Sequence, residues 1–151
     1  MNLGSLQARW IEFQSKDYYQ TLSLRNSVLR KPIGLQFSKD QLSNEIDDFH
    51  LGIFLSNECI ACLVISKLID SKCAKMRQVA VMPKFQGMGI GKLMIIETER
   101  RLQNDGFQSI ELNARESAIP FYLSLGYSLV GEWFTEVGIP HKKMLKAIKL
   151  P

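Results

Sequence analysis

The order of apolar runs in this chain predicts an α/β protein with a mixed, mostly antiparallel central sheet flanked by helices. Two observations carry that expectation. Three strand-like runs separated by tight turns follow one another from residue 50 to residue 82 and make an antiparallel meander. The third run enters a glycine-rich turn, an amphipathic helix and a further strand, which is the order of a right-handed parallel crossover.

Residues 9–13 alternate enough to read as a first strand. A helix follows over residues 17–30, begun by Ser15 or by Lys16 and Asp17, and stopped at Lys31 and Pro32 because proline has no amide to extend the ladder. Residues 33–46 are mixed in character, with one short helical candidate over 39–46. Residues 50–55, the turn at Ser56, Asn57 and Glu58, and residues 59–67 make a hairpin. A third strand runs from Lys72 or Cys73 to Met82 after a turn at Asp70 and Ser71. The helix opened by the glycine turn spans residues 89–104 and is closed by Gly106. Leu93, Ile96 and Leu102 are expected to face inward, and Glu97, Glu99, Arg100 and Arg101 outward. Residues 108–113 form the next strand, residues 116–124 a short helix ending at Gly126, and strands at 127–135 and 142–150 finish the chain.

The 151 residues suit a single domain spanning 1–151 that buries a core without staples. Hydrophobic residues at 46% and charged residues at 23% are ordinary globular values, and no window reaches the roughly 18 apolar residues of a membrane span. No basic segment followed by an apolar run opens the chain, so a cytoplasmic location without membrane association is expected. A net charge of +4 and a pI of 9.0 favour anionic ligands, but the basic residues are dispersed and imply no specific nucleic acid. Cys59 and Cys62 have the two-residue spacing of redox and zinc motifs. They lie inside a strand, where residues three apart point to opposite faces, so they read as small buried hydrophobes. His50 and His141 are widely separated and no carboxylates cluster near them, so no metal site is expected.

In the glycine turn, Gly87, Gly89 and Gly91 can take backbone angles closed to other residues. Several amides can then converge on one anion at the positive end of the helix dipole, with Lys92 beside them. A triphosphate loop is excluded, because Gly91 and Lys92 are followed by Leu93 and no hydroxyl is left for a magnesium ion. A dinucleotide turn would follow the first strand of a leading βαβ unit, whereas this turn lies past mid-chain behind the meander. Gln86-Gly87-Met88-Gly89-Ile90-Gly91 instead resembles the Gln/Arg-x-x-Gly-x-Gly/Ala signature of the GNAT superfamily of N-acetyltransferases, whose loop holds the pyrophosphate of coenzyme A. The strand from Arg77 to Pro83 resembles that family's strand as well, and the resemblance, strongest over residues 77–127, extends along nearly the whole chain. It implies the GNAT fold, with a V-shaped splay between the strands on either side of the central helix and acetyl-CoA as co-substrate.

By the same resemblance the cofactor contacts are Val79, Ala80 and Val81, then Gln86 to Lys92 (Gln86, Gly87, Met88, Gly89, Ile90, Gly91 and Lys92), and Asn113. Amides around Val79 and Val81 would hold the pantetheine arm and the developing oxyanion. Phe121 to Tyr127 resembles the family's Leu-Tyr-x-x-x-Gly-Phe segment, which makes Tyr122 the general acid toward the coenzyme sulfur. Judged without the family, Tyr122 is a core aromatic on a short helix. The chain departs from the family at Arg115, where an asparagine is common, and Asn113 is the nearest amide. The general base stays open among His50, Glu136 and His141. His141 is preferred, because residues 136–141 form a shaped turn that resembles a segment of some small GNAT proteins.

The activity so implied is acetyl-CoA-dependent transfer of an acetyl group to a primary amine of a small molecule or peptide, by direct attack in a ternary complex. Two alternatives from other classes stand beside it: a non-catalytic acyl-CoA sensor or interaction module, and an α/β domain that binds free phosphate or a nucleotide in the glycine turn. The resemblance also allows a homodimer through edge strands near the C-terminus.

Overall fold

The computed structural model describes residues 5–68 and 71–148. The strands are β1 (Leu6–Ile11), β2 (Phe49–Leu55), β3 (Glu58–Lys67), β4 (Cys73–Val81), β5 (Ser109–Arg115), β6 (Ser128–Glu136) and β7 (Ile139–Ala147). They form one sheet in the order β1-β2-β3-β4-β5-β7-β6, antiparallel everywhere except between β4 and β5. The turn expected at Asp70 and the end of the last strand at Lys149 and Leu150 lie outside the described residues.

Helix α1 (Lys16–Arg25) starts where the Ser15 side chain accepts the Tyr18 amide. It continues as a π turn over Asn26–Arg30 and a 3₁₀ turn over Lys31–Ile33, and ends at Gly34, whose φ of 74° is left-handed. The helical run thus passes Pro32 by one residue before Gly34 stops it, and its turn before Pro32 is wound wider than the sequence suggested. Helix α2 (Lys39–Ser43) carries a capping box between Ser38 and Gln41. Helix α3 (Ile90–Asn104) and helix α4 (Ile119–Ser124) complete the layers.

Helix α3 covers one face of the sheet. Ile90, Met94, Ile95 and Leu102 are buried there with Leu63, Ile65, Met76, Ile110 and Leu112. The opposite face is closed by α1, where Leu24 packs with Phe54, Cys59, Cys62 and Ala80. Among the described residues no helix is long and apolar enough to cross a membrane.

Three details correct the sequence reading. Leu93 and Ile96 are 45% and 52% exposed, because the sheet-facing stripe of α3 runs through Ile90, Met94, Thr98 and Leu102 at helical spacing. Glu99 and Arg101, expected in solvent, are engaged: Glu99 accepts from Tyr127 and Lys146, and Arg101 lies over the rings of Trp10 and Phe49. Cys59 and Cys62 share one face. Cα pairing jumps from Phe54–Cys59 to Ile53–Ala61, so Ile60 is a bulged residue that resets the alternation. The Cys59 thiol and burial push the Cys62 thiol up, and among the described residues no third metal-ligating group joins the pair.

Candidate active site

The site begins where the sheet comes apart. β4 and β5 pair only at Cys73–Ser109, Ala74–Ile110 and Lys75–Glu111. Beyond that point β4 stays on β3 as far as Val81, while β5 stays on β7 as far as Arg115, so the two strands diverge into a V. The backbone of β4 facing the opening has no strand to bond.

A bulge sharpens the divergence. Pairing steps from Cys62–Ala80 to Val64–Arg77, leaving one extra residue on β4, and Gln78 there has a φ of 55°. A non-glycine residue in that region costs about 1–3 kcal/mol and is held by its surroundings. The bulge lets Met76, Val79 and Val81 all pack toward α3, while Ala80 packs against the α1 side.

A cavity of about 1290 Å³ passes through the V. Its volume exceeds the roughly 300–1,000 Å³ of a pocket for one small ligand, which leaves room for two substrates. At one end stands the glycine turn. Gly87 and Gly89 have φ of 78° and 83°, and open space lies where their Cβ atoms would be. Gly89 begins α3 with no side-chain cap, so the amides of Ile90, Gly91 and Lys92 have no partner within the helix. Bare amides at the positive end of a 15-residue helix, beside open space, fit a pyrophosphate. Gly91 faces side chains instead, and a Cβ there would meet the Phe121 ring at 3.4 Å, an ordinary contact distance. The Gln86 side chain donates to the Val81 carbonyl and ties the turn to the end of β4.

At the waist stands Tyr122, 6% exposed, with no hydrogen-bond partner for its hydroxyl among the described residues. Burial pushes its phenol up to about 12, so it is protonated at neutral pH and able to donate. Its ring meets Tyr127 edge-on at 5.7 Å, and the Tyr127 hydroxyl donates to Glu99. Lys146 bridges Glu99 and the Leu125 carbonyl, so α4 is pinned to both α3 and β7. Asn113 lies across the waist on β5, and the side-chain oxygens of Asn113 and Gln78 are buried without a donor.

His141 borders the same cavity; it is 4% exposed, and its Nδ1 lies 2.7 Å from the Ile139 carbonyl. A carbonyl only accepts, so Nδ1 donates to it, and in the neutral ring Nε2 holds the lone pair. Nε2 is 3.6 Å from a Glu136 carboxylate oxygen, close enough to stabilise the imidazolium formed on proton capture. His50 is elsewhere. It is buried on β2 against Phe13 and Tyr18, bonded to the Glu45 carbonyl, and does not line the cavity.

Of the residues singled out in the sequence, Val79, Ala80, Val81, Gln86, Gly87, Gly89, Ile90, Gly91, Lys92, Asn113, Tyr122 and His141 all border this one cavity. Met88 does not; its side chain stands exposed on the outside of the turn. Arg30, Gln41, Arg77 and Gln78 border the cavity and were missed as site residues. The signal for Gln78 was present, since two consecutive polar residues, Arg77 and Gln78, break the alternation of β4. No local pattern marks Arg30 or Gln41.

On the α1 side lies a buried ionic cluster. Arg25, wholly buried, forms two 2.8 Å bonds to Glu45, which also accepts from the Tyr18 hydroxyl at 2.8 Å. Arg77 donates to Asp48 at 2.8 Å and to Ser66 at 2.9 Å. Burial pushes the Glu45 carboxyl up, but the bonds and charge of Arg25, with Tyr18 and Arg77, outweigh it and hold the group below its usual range.

Known proteins share this fold. Residues 23–148 match the family model described as an acetyltransferase (GNAT) domain. The chain is 25% identical over 145 residues to the uncharacterized N-acetyltransferase YitI of Bacillus subtilis (strain 168), covering 92% of this chain and 97% of that one. A putative N-acetyltransferase from Lactobacillus plantarum superposes with a TM-score of 0.84 at 18% identity, covering 96% and 99% of the two chains. The PaiA N-acetyltransferase of Thermoplasma acidophilum, solved with coenzyme A, superposes at 0.75 with 17% identity, covering 95% and 99%.

Proposed function

The chain belongs to the GNAT acetyltransferase family, and we propose that it carries an acetyl group from acetyl-CoA to the primary amine of a small molecule or peptide by direct attack in a ternary complex. It is an acyltransferase by that membership. One observation carries the finer reading: a single cavity is bordered by the bare N-terminus of α3, by Tyr122 and by His141.

Acetyl-CoA supplies the activated carbonyl, and the rest is done by the chain. The amides of Ile90, Gly91 and Lys92, with the Lys92 ammonium, receive the pyrophosphate. Unpaired backbone N–H groups of β4 near Val79 and Val81 orient the pantetheine arm and stabilise the developing oxyanion. The Asn113 side-chain oxygen accepts from an amide of that arm or from the incoming amine. His141 Nε2 takes the proton that the amine sheds as the carbon–nitrogen bond forms, and Glu136 steadies the resulting imidazolium. Tyr122 donates to the sulfur as the carbon–sulfur bond breaks. No cysteine borders the cavity, so none serves as an acyl carrier.

All 151 residues act as one domain in this reading, in the cytoplasm, a setting that suits three free cysteines. A second copy of the chain is the partner assigned to β6. This strand ends the sheet with all nine residues exposed, Leu129, Val130, Trp133 and Phe134 among them.

Calorimetric titration with acetyl-CoA, using ATP and NAD as controls, tests the proposal. Selective acetyl-CoA binding, followed by release of coenzyme A thiol in an amine screen, is the expected result. Equal binding of ATP, or none of acetyl-CoA, would refute it. Light scattering on the wild type and on Trp133→Glu tests the dimer, which the charge should break.

A further inference from the structure

We propose that the amine acceptor also carries a carboxylate, with Arg30 and Arg77 gripping the carboxylate and the amine delivered to the waist of the V. This rests on the acetyl-transfer reading above and takes it to a class of acceptor, the amino acids.

On the α1 side of the cavity the guanidinium groups are not all engaged by carboxylates, and Glu136 acts on Arg30 only through space. Arg25, Arg30 and Arg77 gather there, while Glu45 and Asp48 are the carboxylates bonded to them. Arg25 spends both terminal nitrogens on Glu45. Arg77 spends Nε on Ser66 and Nη2 on Asp48 and Glu45, which leaves Nη1 without a bond among the described residues. Arg30 has no carboxylate within ion-pair distance among the described residues.

Arg30 is nevertheless held in place. It projects from the π turn after α1, half-buried at the cavity wall, with its guanidinium 4.5 Å from the centre of the Phe37 ring. Stacking leaves the N–H edge of the fork unspent, and that edge matches the two oxygens of a carboxylate. Burial first, and then the charges of Arg25 and Arg77, lower its hold on the proton, and Glu136 offsets only part of this. An entering anion relieves all of these penalties at once.

The polarity reverses toward the waist. Gln78 Oε1 and Asn113 Oδ1 are buried acceptors without donors, and His141 Nε2 borders the same cavity. An amine supplies N–H donors to such a set. Donors at one end and acceptors at the other fix the direction in which a zwitterion lies. A diamine would instead put its second cation against Arg30 and Arg77, where like charges repel.

The test is binding to the complex of the full chain with coenzyme A, using the proteinogenic amino acids and their primary carboxamides. Each amide keeps the amine and the bulk and loses only the negative charge. Saturation-transfer NMR identifies binders and titration gives the acid-to-amide affinity ratio. For at least one amino acid we expect a ratio of about tenfold or more, collapsing toward one in Arg30→Gln and partly restored in Arg30→Lys, with melting temperatures confirming that both variants fold. A ratio near one in the wild type, a ratio that survives Arg30→Gln, or binding of amides and diamines alone would overturn the proposal, as would binding of no amino acid. Coenzyme A affinity is read in the same sample, so loss of the acetyltransferase reading is distinguishable from loss of this one.

Discussion

The α3 side of the cleft and its α1 side are built from different material. In the proposed reading the recognising groups on the α3 side belong to the main chain: bare amides at Ile90, Gly91 and Lys92, and the unpaired edge of β4 after its bulge at Gln78. On the α1 side that reading uses side chains, Arg30 and Arg77 beside the buried Arg25–Glu45 pair, with His141 on the same cavity. A ligand common to a whole family can be held by backbone, which every sequence supplies. A ligand particular to one member has to be held by side chains, and these need a rigid backing. The ionic cluster is that backing.

The widest effect is expected from removing it. Arg25→Met leaves the buried Glu45 with only the Tyr18 hydroxyl and a 3.5 Å contact to Arg77, and should cost about 3–5 kcal/mol in urea unfolding. A loss below about 1 kcal/mol would mean that the cluster does not brace the α1 side. Next comes the reagent at the waist. Tyr122→Phe should lower kcat by about 10²-fold while leaving acetyl-CoA affinity within a factor of two, a split seen by pairing steady-state kinetics with calorimetry. An unchanged kcat would place proton delivery elsewhere.

On the α3 side, Gly89→Val forces a β-branched residue into a φ of 83°, at a strain of about 1–2 kcal/mol. Acetyl-CoA affinity should fall about tenfold with little change in the preference among amines, which competition between two acceptors would measure. The smallest effect is the response to acid. Burial lowers His50 from its ordinary 6.5, so the unfolded chain binds the proton first and stability declines as pH falls below 6.5. Glu45, also lowered in the fold, adds a second decline as pH falls below 4.5. Urea midpoints taken between pH 8 and pH 4 should show the upper decline vanish in His50→Asn and the lower one persist.

The same contrast explains what could be read from the sequence. The turn at Gly87, Gly89 and Gly91, its strand and its helix are contiguous, and glycine spacing states their backbone angles directly. The meander and the crossover followed from alternation and turn residues, and both are present. Arg30, Gln41 and Arg77 come from three separate elements and meet only after folding, so no spacing announces them. The π turn that presents Arg30 follows ten residues of α-helix, and nothing in Asn26–Arg30 distinguishes it from more of the same. Bulges did the remaining damage. One extra residue at Ile60 moved Cys59 onto the face of Cys62, a shift that strict alternation cannot foresee.

A bulge also sets how this sequence is free to drift. Because the groups that β4 offers to a thioester are amides, substitutions along Val79, Ala80 and Val81 that preserve packing leave them in place generation after generation. Only proline deletes an amide. The α1 side enjoys no such immunity, since a single codon change at Arg30 rewrites what it can hold. In the proposed mechanism the strand that serves the transfer step therefore needs no particular side chains, and new acceptors can be tried on the α1 side without placing that step at risk.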